Sequence, residues 1–267
     1  MLEAKAVSVA YGAERVVAEC SLAVAPRRLT ALVGPNGCGK STLLKAIMGF
    51  VPVQSGSITL DGAPLAAMGR RAIARRIAYL PQDGHAPEHM RLGDMVELAG
   101  YARYGLFGGP TAQDRALFAR ALDTVGLADL AGRYVTTLSG GQRQRAFLAM
   151  VLAQDADLIV MDEPVNHLDA TYQVAILALV RRLTRHGGKT VLAVLHDLNL
   201  VTGFADDVAM MRGGRVVAAG PLAATIDVAS VAAVFDLEAD IFTRAGRLVC
   251  LPRLPEAEAP PPSEPPA

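Results

Sequence analysis

The sequence predicts an α/β protein with a parallel core sheet, an N-terminal antiparallel β subdomain and an inserted helical subdomain. Two observations lead to this fold class. Short apolar runs alternate with helical patterns, which is typical of a parallel sheet covered on both faces. From about Pro87 to Ala153 that alternation stops and no convincing strand is found. We therefore predict a helical subdomain at about residues 84–153, inserted in the α/β body.

The composition agrees with one large domain that carries a subdomain. The chain has 267 residues, of which 52% are hydrophobic and 19% are charged, so we expect a substantial buried core. The formal net charge is zero, and we therefore predict no nucleic-acid partner. The three cysteines are scattered and odd in number, which favours a reducing compartment over a disulfide framework.

The elements follow in chain order. The first 27 residues alternate in the manner of antiparallel strands, and apolar runs then predict buried strands at 29–33, 76–80, 158–161 and 190–195. Amphipathic helices are predicted after the glycine-rich loop at 34–42 and after "SGG" at 139–141. Inside the insertion, Thr111 and Asp114 resemble a helix N-cap pair, and an apolar residue recurs every fourth position at Leu117, Ala121 and Val125.

The two ends of the chain and its longest apolar run set further expectations. We predict a small C-terminal segment at about 224–254 and a disordered tail at 255–267, which is rich in Pro and Glu. No run of 18 apolar residues is present, and the best run, at 174–180, stops before Arg181. We therefore expect that the chain does not span a bilayer by itself.

The stretch "GPNGCGKST" fits the phosphate-loop pattern G-x-x-x-x-G-K-[ST] in full. Its glycines let backbone N–H groups approach phosphate oxygens, and the helix start adds partial positive charge. Lys40, one of only four lysines, would reach the β- and γ-phosphates; Ser41 would bind Mg²⁺. An ordinary glycine turn is the alternative, which the flanking strand and helix disfavour. The predicted nucleotide-binding residues here are Gly34, Pro35, Asn36, Gly37, Cys38, Gly39, Lys40, Ser41 and Thr42.

The stretch "LIVMDEP" is an apolar strand that ends in two carboxylates. Asp162 at the strand end suits Mg²⁺ coordination, and Glu163 is placed to polarise an attacking water. Acidic pairs at strand ends can be merely solvated, but a phosphate loop upstream favours the catalytic interpretation.

The stretch "LSGGQRQR" opens a second helix with an anion-binding start at Ser139, Gly140, Gly141 and Gln142. One nucleotide has one γ-phosphate, so a second such helix start needs another reason. In addition, a glutamine follows one predicted strand and a histidine follows the last predicted strand. Together with the motifs above, these residues resemble the ATP-binding subunit of an ABC transporter, over about residues 2–254.

That resemblance implies an ATPase that uses ATP and Mg²⁺ and works as a head-to-tail pair of subunits, most simply a homodimer. Each nucleotide would lie between the phosphate loop of one subunit and the "LSGGQ" of the other. By position, Tyr11 would stack on adenine, Gln82 would contact Mg²⁺ and the attacking water, Asp169 would link the two sites, and His196 would contact the γ-phosphate. Val165 departs from the usual Thr or Ser but touches no ligand.

Within the family, "VLHDLNL" and the segment from "VFDLEADI" to "LVCLPR" resemble the iron-chelate, haem and vitamin B12 uptake group. This resemblance implies an importer ATPase for a siderophore or ferric citrate, at the cytoplasmic face of the inner membrane. Its partners would be a separate membrane permease and, indirectly, a periplasmic or surface substrate-binding protein. The permease would dock between His85 and Tyr104. A haem or vitamin B12 importer and a non-transport ABC ATPase remain alternatives.

Two further motifs admit a second interpretation. "HAPEH" at 85–89 fits the H-x-x-E-H pattern of some zinc peptidases, but Pro87 between the histidines opposes the helix that this chemistry needs. Cys38 lies near a helix start, which can lower the pKa of a thiol. We expect instead a small side chain that points away from the phosphates.

Overall fold

A computed structural model of the chain describes residues 1–82, 84–104, 108–166 and 168–253. The described strands, in chain order, are β1 (Leu2–Tyr11), β2 (Glu14–Val24), β3 (Leu29–Val33), β4 (Ser55–Leu60), β5 (Ala63–Pro64), β6 (Ile77–Leu80), β7 (Leu158–Met161), β8 (Thr190–Val194), β9 (Asp207–Arg212), β10 (Arg215–Pro221), β11 (Ala239–Arg244) and β12 (Arg247–Pro252).

The described α-helices are α1 (Lys40–Ile47), α2 (Arg70–Arg76), α3 (Leu92–Leu98), α4 (Ala112–Thr124), α5 (Gly140–Ala153), α6 (Ala170–Arg185), α7 (Leu198–Phe204), α8 (Leu222–Thr225) and α9 (Val228–Phe235). Short 3₁₀ turns occupy Leu65–Ala67, Ala99–Ala102, Ala128–Leu130 and Val135–Thr137.

The central sheet has six strands in the order β10-β9-β3-β8-β7-β6. All neighbours are parallel except β10, which pairs antiparallel with β9 at the edge. Successive residues of β3 are buried on alternate faces: Ala31 and Val33 belong to one apolar cluster, and Leu32 belongs to the other. The sheet is therefore covered on both faces, as the continuous apolar runs predicted.

The N-terminal β-strands cover one face of that sheet together with α1. They form an antiparallel sheet in the order β2-β1-β4-β5, which confirms the predicted antiparallel N-terminus. Val7, Val9 and Val17 are fully buried between this sheet and the residues of α1. The amide of Ala18 in β2 donates to the carbonyl of Gly214 at 2.9 Å, and this bond ties the two sheets together.

Helices cover the other face. In the described residues from 87 to 153, no strand is present beyond an isolated bridge between Arg91 and Tyr134, and α3, α4 and α5 account for most of the segment. Thr111 and Asp114 form the predicted capping box of α4. The apolar residues of this segment belong to the same cluster as one face of the central sheet, so the segment packs on the sheet rather than apart from it.

The strand predictions were confirmed at Leu29–Val33 and Leu158–Met161 and were one residue too long elsewhere. Ile77 begins β6 because Arg76 still belongs to α2, and β8 ends at Val194. Strands β4, β5 and β9 to β12 were not predicted. The predicted segment at 224–254 contains α9 and the hairpin β11–β12, and the predicted tail at 255–267 lies outside the described residues. None of the described helices combines the length and apolar content needed to cross a bilayer.

The burial of α6 yields a stability prediction. Leu177 is fully buried against the sheet, whereas Val174 on the same helix is 47% exposed. Leu177→Ala should lower the free energy of unfolding by about 2–5 kcal/mol because it leaves a cavity in the core. Val174→Ala, the matched control, should change it by no more than about 0.5 kcal/mol. Urea unfolding of both variants tests this, and equal effects would contradict the assignment of the buried face.

Candidate active site

Four parallel strands end at the same edge of the central sheet, and each is followed by a predicted site residue. Pairing aligns Leu80 of β6 with Met161 of β7, and Met161 with Ala193 of β8. The phosphate loop follows β3, Gln82 follows β6, Asp162 and Glu163 follow β7, and His196 follows β8. Ligands of open α/β sheets bind at such carboxyl edges.

The glycines of the phosphate loop allow backbone conformations and contacts that other residues would not. Gly39 has φ 101° and stands immediately before α1, so the first helical residue is Lys40. A Cβ on Gly34 would lie 2.0 Å from the carbonyl oxygen of Met211. The loop therefore packs against β9 at a distance that only glycine permits. It encloses a cavity of about 190 Å³, which Asn36, Ser41 and Glu163 help to line.

Lys40 is buried and bonds to the loop itself. Its Nζ donates to the carbonyl oxygens of Gly34 at 2.8 Å and Pro35 at 2.9 Å. These bonds satisfy the ammonium group, which would otherwise be costly to bury. An anion in the loop can replace them with stronger, charge-assisted bonds.

Ser41 and Asp162 form an oxygen-rich pair at the start of α1. Ser41 Oγ donates to Asp162 Oδ1 at 3.0 Å. Burial raises the pKa of the Asp162 carboxyl, and the nearby charge of Glu163 acts in the same direction, whereas the Ser41 hydrogen bond opposes the shift. A hydroxyl and a carboxylate beside a phosphate loop fit Mg²⁺, which prefers one or two protein oxygens plus phosphate and water.

The Glu163 carboxylate lies between residues of two neighbouring strand ends. His196 Nε2 lies 2.6 Å from its Oε1, and Gln82 Nε2 donates to its Oε2 at 2.9 Å. Glu163 has φ 54°, in the left-handed region that non-glycine residues rarely adopt. This geometry brings together Lys40, Ser41, Gln82, Asp162, Glu163 and His196 as predicted residues of one site.

The other predicted residues lie elsewhere in the single chain. Ser139 caps α5 and forms a reciprocal capping box with Gln142, but neither residue lines the phosphate-loop cavity. Asp169 caps α6 by accepting from the backbone N–H of Tyr172 at 3.1 Å. Tyr11 ends β1 and is about half exposed. A single chain thus contains both the phosphate loop and the start of α5, but the start of α5 does not line the phosphate-loop cavity.

Two side chains near the site were not predicted. Asn166 Nδ2 donates to Glu163 Oε2, and the Tyr79 hydroxyl lies 3.5 Å from Asp162 Oδ2. Burial raises the pKa of Tyr79, so its phenol stays protonated. The position of Asn166, three residues after Glu163, was the available signal, because that spacing allows a turn back onto the carboxylate.

The zinc-peptidase interpretation of "HAPEH" receives no support from the structure. Residues 84–90 form loop and turn rather than helix, so His85 and His89 do not share one helical face. In the described part of the chain, no group of three His, Cys, Asp or Glu side chains could hold a metal ion. Cys38 is 5% exposed and belongs to the apolar cluster beneath the loop.

The chain belongs to the ABC transporter family: the sequence profile of that family matches residues 17–166. Its fold is that of an ATP-binding cassette. A dimeric structure of MJ0796, a bacterial ABC transporter cassette, superposes with a TM-score of 0.75 at 25% identity, over 83% of this chain and 99% of that one. A candidate metal-chelate type ABC transporter in an inward-facing conformation gives a TM-score of 0.81 at 25% identity, covering 95% and 97%. The protein is therefore an ABC ATPase.

The relatives of this chain include ATP-binding proteins named for the import or transport of iron chelates or hemin. The iron(3+)-hydroxamate import ATP-binding protein FhuC of Bacillus subtilis is 34% identical over 94% of each chain. The ferric enterobactin transport ATP-binding protein FepC of Escherichia coli is 36% identical, over 82% of this chain and 81% of the relative. The hemin import ATP-binding protein HmuV of Chelativorans is 40% identical, over 89% and 92%.

Lys40 yields a direct test of the phosphate loop. Lys40→Ala should abolish ATP binding, with a loss of at least about a hundredfold in affinity, because the buried cation no longer meets the phosphates. Lys45→Ala, an exposed lysine on the same helix, is the matched control and should bind ATP normally. Fluorescent-nucleotide titration measures both, and normal binding by Lys40→Ala would exclude the loop as the ATP site.

Cys38 gives a second test. Its thiol lies beneath the loop, so an added maleimide should displace the loop and block ATP binding. The variant Cys20→Ala/Cys250→Ala leaves Cys38 as the single thiol, and mass spectrometry gives the extent of labelling. Unlabelled protein of the same variant is the control. ATP binding that survives stoichiometric labelling would contradict the prediction.

Proposed function

We propose that this ABC ATPase powers the import of an iron(III) chelate through a separate membrane permease, at the cytoplasmic face of the inner membrane. The observation that carries the proposal is that relatives of this chain are named for the import or transport of iron chelates. FhuC and FepC, which serve import or transport of iron(3+)-hydroxamate and ferric enterobactin by name, match at least 82% of this chain at 34% and 36% identity. A siderophore or ferric citrate fits this class.

A second candidate substrate is haem. The relative HmuV is a hemin import ATP-binding protein and is 40% identical to this chain. The substrate is not expected to touch the ATPase, so no residue of the site separates the two candidates. A direct uptake measurement is needed.

In the proposed mechanism, Glu163 is the general base for the attacking water. Its Oε1 lies 2.6 Å from His196 Nε2. When the γ-phosphate binds, His196 can turn from Glu163 to the phosphate, and this exchange frees the carboxylate to accept a proton. Lys40 then stabilises charge on the transferred phosphoryl group. Ser41, Asp162 and Gln82 would hold Mg²⁺, which supplies further charge neutralisation on the phosphates.

The active unit in this proposal is a pair of chains. The start of α5 at Ser139 to Gln142 does not line the phosphate-loop cavity of its own chain. Its Gly140 and Gly141 backbone N–H groups are suited to a phosphate on a second copy. Tyr11 would stack on adenine, and Asp169 at the start of α6 would lie near the junction between the two copies. Because both half-sites are intact in this chain, a homodimer is the simplest pair.

We place the permease contact in a groove between α2 and the helical segment. The groove has a volume of about 520 Å³, and its walls include Leu98, Tyr101 and Tyr104, which fall within the predicted docking range from His85 to Tyr104. Tyr101 is 77% exposed and Leu98 is 52% exposed. Large apolar side chains so exposed are typical of a contact surface.

Glu163→Gln tests the general base. The variant should bind ATP but hydrolyse it at least about a hundredfold more slowly, and it should accumulate as an ATP-bound dimer. Phosphate release and size-exclusion chromatography measure the two effects, with wild-type protein as the control. Turnover at the wild-type rate would show that Glu163 is not the base.

Uptake in cells that lack this gene tests the transport function. The cells are complemented with wild type or Glu163→Gln, and they receive radiolabelled ferric citrate, a ferric hydroxamate, ferric enterobactin or haem. Restoration by wild type alone with an iron(III) chelate supports the proposal. If wild type restores the uptake of haem and of no iron(III) chelate, haem is the substrate. Unchanged uptake of all four compounds after deletion would contradict both.

A further inference from the structure

Asn166 lies in the loop that follows β7, three residues after Glu163. Its backbone N–H donates to the Glu163 carbonyl at 3.3 Å, and its side-chain Nδ2 donates to Glu163 Oε2. The turn that these two bonds close coincides with the left-handed conformation of Glu163 at φ 54°. One residue thus restrains both the backbone and the carboxylate of the proposed base.

The two oxygens of the Glu163 carboxylate have different partners. Oε2 accepts from two amide groups, those of Asn166 and Gln82, and Oε1 faces the His196 imidazole. Amide N–H groups donate and do not take up a proton, whereas imidazole can do both. Oε2 is therefore the oxygen by which the two amides hold the carboxylate, and Oε1 is the oxygen that faces the imidazole.

The two amide donors differ in how they are held. Gln82 is exposed and follows β6, and in the proposed mechanism its side chain turns to Mg²⁺. Asn166 is half-buried and is fixed by the turn that it closes. If Gln82 holds Mg²⁺ and His196 contacts the phosphate, Asn166 would remain as an amide donor to the Glu163 carboxylate.

We infer that Asn166 is a positioning residue for ATP hydrolysis, which keeps Glu163 Oε1 directed at the attacking water. This inference rests on the proposed role of Glu163 as general base. Freed from Asn166, the carboxylate can rotate, and a misplacement of about 1 Å can cost up to about a hundredfold in rate. Because Asn166 does not contact the phosphate loop cavity, ATP affinity is not expected to depend on it.

The first experiment compares Asn166→Ala with Gln173→Ala in the full-length chain. Gln173 Nε2 also donates to this loop, at the Val165 carbonyl 3.3 Å away, but it does not bond to Glu163. Asn166→Ala should lower kcat by at least about tenfold and change ATP affinity by less than twofold, whereas Gln173→Ala should retain the wild-type rate. An equal loss of rate in both variants would overturn the inference, since it would show that any disturbance of the loop is sufficient.

The second experiment uses the ATP-bound dimer of Glu163→Gln. If Asn166 acts only through Glu163, then Glu163→Gln/Asn166→Ala should form that dimer to the same extent as Glu163→Gln. Failure to form it would overturn the inference in favour of a structural role in the subunit contact. If Asn166→Ala hydrolyses ATP at the wild-type rate while Glu163→Gln is slow, the positioning role of Asn166 is overturned and the role of Glu163 as general base stands. Wild-type turnover by Glu163→Gln would overturn the general base, and with it the positioning role.

Discussion

The alignment of four parallel strand ends is the constraint on which the site depends. Hydrogen bonds fix Leu80 beside Met161 and Met161 beside Ala193, so the residues that follow these positions emerge together. A shift of one residue in any pair would exchange the two buried faces of that strand. Both faces are apolar and packed, which makes such a shift costly. Core packing therefore sets the distances within the site.

The side chains of the site bond to one another and to the backbone of the loop. Lys40 bonds to carbonyls of its own loop, Ser41 bonds to Asp162, and Glu163 lies against His196. Binding of a polyanion is thus an exchange of hydrogen bonds rather than a simple gain, and the net free energy is the difference between the two sets. Only a ligand that offers strong acceptors to Lys40 and to the helix start makes the exchange favourable.

A hydrogen bond connects the helical segment to the loop after β7, in which Asp162 and Glu163 lie. The buried residues of the segment share one apolar cluster with the sheet, and Gln144 of α5 donates to the carbonyl of Pro164 at 2.8 Å. That bond joins α5, which Ser139 caps, to the loop that carries Glu163 and Asn166. A displacement of α5 by a permease or a second subunit would therefore reach the proposed general base through a short, bonded path.

The sequence by itself predicted the class of fold, the strands β3, β6, β7 and β8 of the central sheet, and the residues of the candidate site. Its motifs are local: a glycine loop, a strand that ends in two carboxylates, and a capped helix start each fit within about ten residues. Those predictions succeeded for β3 and β7 because their apolar runs are bounded by polar or glycine residues. Strand β9, the edge strand β10 and the hairpin β11–β12 were missed. Strand β9 pairs with β3, which is distant in the chain, and no residue of β10 is buried, so neither strand has a strong local signal.

Only the tertiary structure decided which side chains meet. The contact of Asn166 with Glu163 depends on a left-handed turn that no local propensity favours. The division of the carboxylate oxygens between amides and imidazole depends on strands β6, β7 and β8, which are remote in sequence but adjacent in the sheet. The structure also separates the "LSGGQ" helix start from the phosphate loop of the same chain. Local sequence encodes the chemical groups of this site, whereas long-range strand pairing decides their distances.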